Sequence, residues 1–197
     1  MQTIRCSEKI KMVHPGVYKA FQRENNVVVS APYVVFLVGE HAVLEGALAL
    51  CISLPLRTYV GLERADTPFS PSKGIEISFG QQRLLGCDVG EGFKAPEVYL
   101  AREIRASEGK LIELLTKIVK AYDFKIREFR INVLSELPPG QGANWSGSFS
   151  AALSCGLLLL NEKLKPEDVQ SWRDRSIAEL LRDDKFRLCN ELAWRIE

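Results

Sequence analysis

Residues 129–160 constrain the fold most tightly. Residues 129–134 (FRINVL) alternate largely between apolar and polar, which predicts a half-buried strand. The next stretch, 135–145 (SELPPGQGANW), carries two prolines and two glycines and predicts a loop. Residues 146–160 are apolar and rich in small residues, and predict a helix. A helix start exposes unpaired N–H groups and a partial positive charge. Glycines ahead of it allow the backbone to approach a phosphate closely. Ser146 and Ser148 are placed to cap the helix, contact a phosphate or join a metal's coordination sphere. The same residues also read as a plain proline-glycine turn with a serine N-cap. No G-x-x-x-x-G-K-[ST] pattern occurs, so the loop is not a Walker A loop.

Upstream, residues 26–30 (NVVVS) and 34–38 (VVFLV) are β-branched runs around Ala31-Pro32. They predict two strands, or one broken at the proline. Gly39-Glu40-His41 follows as a turn. An adjacent acid and histidine after a buried strand suit charge-assisted binding of a polar substrate, or capping of neighbouring backbone. Residues 47–64 predict a further strand or strand pair, 67–74 a loop and 75–79 a short strand. Leu111, Leu114, Leu115, Ile118 and Val119 recur at helical spacing within a helix predicted over 96–122. Two more helices are expected over 165–181 and 185–197. Strand–helix alternation is not sustained and no repeat occurs, so the fold class is α+β rather than a doubly wound sheet.

The 197 residues carry 26 basic and 25 acidic side chains, a balance that gives no case for a nucleic-acid partner. The apolar run 151–160 is about half of what spans a bilayer, so no membrane partner is expected. Residues 1–25 are polar and broken by His14, Pro15 and Gly16, unlike a signal peptide. Five widely spaced cysteines without a C-x-x-C pair suggest neither a zinc site nor a redox dithiol. Reduced thiols in a cytoplasmic protein fit that pattern. Cys51 and Cys155 are expected as small buried hydrophobes.

Taken together, two segments resemble the GHMP kinases, and within them the mevalonate kinase branch. The first family motif is approximately A-P-G-K-V-x-L-x-G-E-H-A-V-x-x-G; residues 31–46 read APYVVFLVGEHAVLEG. The continuation ALCISLPLRTY (49–59) looks like the branch's S-L-x-L-R-T stretch. The second motif is approximately E-L-P-P-G-x-G-L-G-S-S-A-A; residues 136–148 read ELPPGQGANWSGS. The resemblance implies a ribosomal-protein-S5-like N-terminal domain over 26–197, preceded by an N-terminal extension over 1–25. It implies ATP phosphates along Pro139, Gly140, Gln141, Gly142, Ala143, Asn144, Trp145, Ser146, Gly147 and Ser148. It implies Mg²⁺ held by Ser146 and Glu197, with Glu40 and His41 contacting the substrate, mevalonate or a similar hydroxy acid. The implied activity is ATP-dependent phosphorylation of a hydroxyl in isoprenoid precursor synthesis.

Three departures modify that implication. Val34 stands at the family's lysine and Tyr33 at the preceding glycine. A valine carries no charge and donates no hydrogen bond, so it cannot replace that lysine, and Lys19 or Arg57 is a candidate to move in. Asn144 and Trp145 interrupt the phosphate-loop core, and Asn144 can adopt the left-handed backbone that a glycine would have used. No G-x-P-S-G-x-D-N motif with the family's catalytic aspartate occurs, and the C-terminal domain is expected to be absent. Impaired catalysis is therefore the expectation for this chain. The alternatives are a non-catalytic pseudokinase or scaffold on the same fold, or a relative acting on phosphomevalonate, homoserine or a sugar. A face left uncovered by a missing domain predicts exposed apolar surface, and with it self-association as a homodimer.

Overall fold

The computed structural model describes residues 15–41, 45–64, 75–78, 97–136 and 143–197. Two long apolar segments form its central ladder. Strand β1 (Val27–Val38) pairs antiparallel with β2 (Leu50–Arg64), from Val27 opposite Leu62 to Val38 opposite Leu50. The run around Pro32 is thus one strand, and 47–64 supplies one strand rather than a pair. The ladder survives both prolines for a geometric reason. Arg57, opposite Pro32, turns its N–H to Glu136 Oε2 (2.6 Å) and its carbonyl to Glu136 N (3.1 Å). In an antiparallel ladder such a pair exchanges no bond, so the missing N–H of Pro32 costs no ladder bond. The register then shifts from Pro32–Arg57 to Val34–Ser53. The surplus residues of β2, Leu54 to Leu56, place Pro55 inside that bulge, where no ladder donor is required.

Strand β3 (Ile75–Ser78) and strand β4 (Phe129–Ser135) complete a four-stranded sheet in the order β1-β2-β4-β3. β4 runs antiparallel to β2 and parallel to β3. Parallel neighbours need a crossover, and helix α2 (Glu97–Ala121) provides it. The fold is α+β as expected, with one strand–helix–strand unit in a mostly antiparallel sheet.

Helix α1 (Pro15–Glu24) lies N-terminal to β1, and helix α3 (Trp145–Leu160) follows β4. Strand alternation assigns the two sheet faces. On one face Val60, Leu62, Ile131 and Val133 join Leu115, Ile118 and Val119 of α2 and Leu153 and Leu157 of α3 in the main core. α3 sits close: a Cβ at Gly156 would stand 3.1 Å from Leu62 Cδ1. On the other face Tyr18 of α1 meets Tyr59 edge-on, with centroids 5.9 Å apart, and packs beside Leu134. Asn25 locks α1 there. Its amide donates to Phe21 O (2.6 Å) and its Oδ1 accepts from Asn132 Nδ2 (2.8 Å).

The helix expected over 165–181 is broken. Helix α4 (Pro166–Ser171) runs into a short 3₁₀ turn (Trp172–Asp174), and helix α5 (Ile177–Leu180) restarts beyond it. Arg175 is extended, and Ser176 opens the new helix with a capping box to Glu179. Two local hydrogen-bond systems outcompete one continuous helix. Helix α6 (Asp184–Ile196) follows and packs Cys189, Leu192 and Ile196 into the core.

Gly61 leaves room for Asn25, since a Cβ there would meet Asn25 Cγ at 2.4 Å. Gly61→Ala is expected to displace that side chain and loosen α1, destabilising the fold by about 1–3 kcal/mol. Chemical denaturation of the two proteins measures the loss. An unchanged midpoint would contradict this packing.

Candidate functional site

The start of α3 is built differently from the serine-capped helix in the sequence reading. The helix begins one residue earlier, at Trp145, and Asn144 is the N-cap. Asn144 adopts φ 47° and ψ 54°, the left-handed conformation anticipated for it. Its Oδ1 accepts from Gly147 N at 3.4 Å, and its carbonyl accepts from Ser148 N at 3.2 Å. Gly147 makes this possible, because a Cβ there would lie 2.6 Å from Asn144 Nδ2. An asparagine ahead of an apolar run was the signal for this cap.

The two serines part company. Ser148 is buried and its hydroxyl donates to Pro32 O at 2.6 Å, tying the helix start to β1. Such a bond contributes about 1 kcal/mol. Ser146 stays exposed, and its hydroxyl donates to Glu197 Oε1 at 3.1 Å. These are the two residues singled out for a metal, 51 positions apart in the chain, and α6 packing against α3 brings them together. A groove of about 440 Å³ runs beside this contact, between Gly147 and Ala151 of α3 and Asn190, Trp194 and Glu197 at the end of α6.

Trp145 does not stand in front of the helix. Its ring stacks on Phe149 one turn along, centroids 5.1 Å apart and planes 4° from parallel, and packs against the core. Pro139, Gly140, Gln141 and Gly142 lie outside the described residues, and Ala143 is buried.

The first motif is disposed along β1. Tyr33 is fully buried, with its hydroxyl hydrogen-bonded to Ser135 Oγ of β4. Val34 lies half-buried in the ladder opposite Ser53. Arg57 does not take the place of a lysine, since its guanidinium donates to Ser30 Oγ and Ser30 O, both at 2.8 Å. Lys19 is exposed on α1. Glu40 and His41 are exposed in the turn after Gly39, which suits glycine alone: its φ is 88°, and a Cβ there would stand 2.6 Å from Leu48 O. From Pro32 to Val38 the strand travels roughly 20 Å, so Glu40 and His41 are carried away from the start of α3. The exposed apolar residues Leu37, Val38, Leu48, Leu50 and Ile52 gather at that end of β1 and β2. Cys51, expected as buried, is exposed there too, while Cys155 is buried as expected. The β2 residues nearest the turn extend past the core, so apolar sequence alone did not bury Cys51.

Among the described residues no cluster of three or more His, Cys, Asp or Glu side chains forms a metal cage. A hydroxyl and a carboxylate oxygen are nevertheless hard donors of the kind Mg²⁺ takes beside phosphate oxygens. The Ser146–Glu197 pair therefore fits that ion.

No protein-family profile matches the chain. Among curated proteins it is 30% identical over 160 residues to human mevalonate kinase, covering 70% of this chain and 40% of that one. Mevalonate kinase of Thermococcus sibiricus is 28% identical over 150 residues, covering 73% and 42% respectively. The chain thus spans about two-fifths of the length of these relatives. Its fold matches that of Lactococcus lactis galactokinase, crystallised with galactose, with a TM-score of 0.51 at 15% identity, over 93% of this chain and 42% of that one. The similarity in sequence is thus to mevalonate kinases and the similarity in fold to a galactokinase, which is consistent with a partial match to the GHMP kinase superfamily.

Glu197 ends the helix that Asp183 begins. Asp183 Oδ1 accepts from Lys185 N (2.9 Å) and Phe186 N (3.0 Å). The bond from the Phe186 N–H is the main cause holding its carboxyl below the usual range. A depressed folded pKa gives stability that is present above the ordinary value, about 3.9, and is lost as the pH falls through the folded value. Asparagine caps as well but does not titrate. Asp183→Asn is therefore expected to be less stable than the parent near neutral pH, where it also lacks the ion pair to Arg175 (2.7 Å), and to lose less stability on acidification below about pH 4. Thermal melts of both proteins between pH 7 and 3 check this, and parallel curves would refute it.

Proposed function

We propose that the chain binds a nucleoside triphosphate with Mg²⁺ at the start of α3, as an ATP-dependent small-molecule kinase lineage would. The convergence of Ser146 and Glu197 at 3.1 Å beside a helix N-terminus carries this reading. Ser146 Oγ and a Glu197 carboxylate oxygen would hold the ion, and when bound it would neutralise phosphate charge. Phosphoryl transfer depends mainly on positioning and charge neutralisation, which hydroxyl, carboxylate and helix terminus suit. Asn144 keeps the helix start closed on itself, and Trp145 leaves its approach clear by stacking on Phe149. The nucleotide-binding domain is proposed over 26–197 with 1–25 as an N-terminal extension, and its site is that of a cytoplasmic enzyme family. The acceptor is proposed as the hydroxyl of mevalonate or a similar hydroxy acid; Glu40 and His41, which the resemblance assigns to its polar end, would meet it only if the turn after β1 came closer to the start of α3 than it stands.

A second reading, a binding protein without phosphoryl transfer, is favoured by Val34. That side chain sits in the β1–β2 ladder and brings no charge to a phosphate, and Arg57 is engaged with Ser30.

Isothermal titration with Mg-ATP is expected to show binding that Ser146→Ala and Glu197→Gln each weaken at least about tenfold, a change of 1.4 kcal/mol. Both positions are exposed, so the melting temperature should hold. No Mg²⁺-dependent heat from the parent protein would refute the site. Turnover of mevalonate near typical kinase rates, about 1–100 per second, would exclude the second reading.

A further inference from the structure

The groove beside Ser146 and Glu197 carries chemistry that the metal pair does not use. Its α6 wall presents Asn190, Trp194 and Glu197, spaced i, i+4 and i+7 and therefore on one face of the helix. Its α3 wall presents Gly147 and Ala151, one turn apart and too small to fill the space between the helices. Trp194 is 79% exposed, whereas Trp145 and Trp172 are half-buried. An indole left in water forgoes the stabilisation that burying so large a ring brings. Among the described residues the Trp194 ring meets no other aromatic ring, and the exposed Asn190 amide has no hydrogen-bond partner. A flat aromatic face, an uncommitted amide and an anion-binding end thus share one groove of about 440 Å³, within the usual range for small-molecule sites, about 300–1,000 Å³.

We propose that this groove takes the adenine base of the nucleotide, stacked on Trp194 with its edge read by Asn190. The inference rests on the nucleotide reading above and gives the base its place. Seven residues of helix separate Asn190 from Glu197, about 10 Å along the axis. A nucleoside triphosphate with its phosphates at Ser146 and Glu197 spans that distance and lays its base over Trp194. Gly147 and Ala151 leave the opposite side open to the plane of the ring. Stacking tolerates any base, because every base has a π-face. The amide supplies the discrimination. It donates to one group and accepts from another, which matches N7 and the N6 amino group of adenine. Guanine carries an oxygen where adenine has that amino group, so it loses the bond that Asn190 Oδ1 would accept.

The test titrates the 197-residue chain in Mg²⁺ with ATP, with GTP and with inorganic tripolyphosphate, which has the phosphates without a base. ATP is expected to bind at least about tenfold tighter than tripolyphosphate. Trp194→Ala is expected to weaken ATP about tenfold and leave tripolyphosphate unchanged, while Trp194→Phe keeps most of the affinity. Asn190→Ala is expected to bring ATP down to the affinity of GTP. Both side chains are exposed, so each variant should melt with the parent. ATP is also expected to quench the tryptophan fluorescence of the parent but not of Trp194→Phe. Equal affinity for ATP and tripolyphosphate would overturn the base site while leaving the phosphate site standing. So would a Trp194→Ala protein that binds ATP as the parent does, or that weakens on ATP and tripolyphosphate alike. Retained preference for ATP over GTP in Asn190→Ala removes the amide from the reading. A parent protein that binds none of the three ligands refutes the phosphate site and this inference with it.

Discussion

Everything in the structure is referred to helix α3 and to how it docks. The helix is apolar on nearly every side and buries eleven of its residues, so it cannot stand as a surface element. The sheet takes one side through Leu62 and Val29 against Gly156, and α6 takes another through Cys189 and Leu192. Each leucine buried this way contributes about 1.5–3 kcal/mol. That packing fixes where the helix starts, and the Ser148 bond to Pro32 O fixes its register against β1. The Ser146–Glu197 contact follows from these constraints, because α6 reaches Ser146 only as its own apolar stripe seats on α3.

The departures from the family motifs have physical homes in this frame. Tyr33, at the motif's glycine position, is fully buried and anchors to Ser135. Asn144, in place of a glycine, keeps the left-handed turn and adds a cap. Trp145 is absorbed by stacking on Phe149. Each large replacement has gained a partner, so the scaffold tolerates them. Val34 is different: it keeps the strand and brings nothing polar to a ligand, which is why the scaffold's integrity and its chemistry come apart at that position.

Much of the fold was legible along the chain. The alternation at 129–134 and the apolar helix over 146–160 were found within a residue of their limits, because local periodicity decides them. The break at Arg175 and Ser176 was not found, since a capping box inside a helical pattern competes with continuation, and here the Ser176–Glu179 hydrogen bonds prevailed. The sheet order was also out of reach. β3 and β4 pair in parallel across a 25-residue helix, a long-range choice that no local signal contains.

The sequence by itself determined the family resemblance, the element types and the choice of Ser146 and Glu197 as residues to watch, because motifs and periodicity are local properties of the chain. Only the tertiary structure decided that Ser148 turns inward while Ser146 stays out, that Trp145 clears the helix start, and that Glu197 meets Ser146 across 51 residues. Those outcomes depend on which face of each helix is buried, and burial is settled when the sheet, α3 and α6 compete for the same apolar surface.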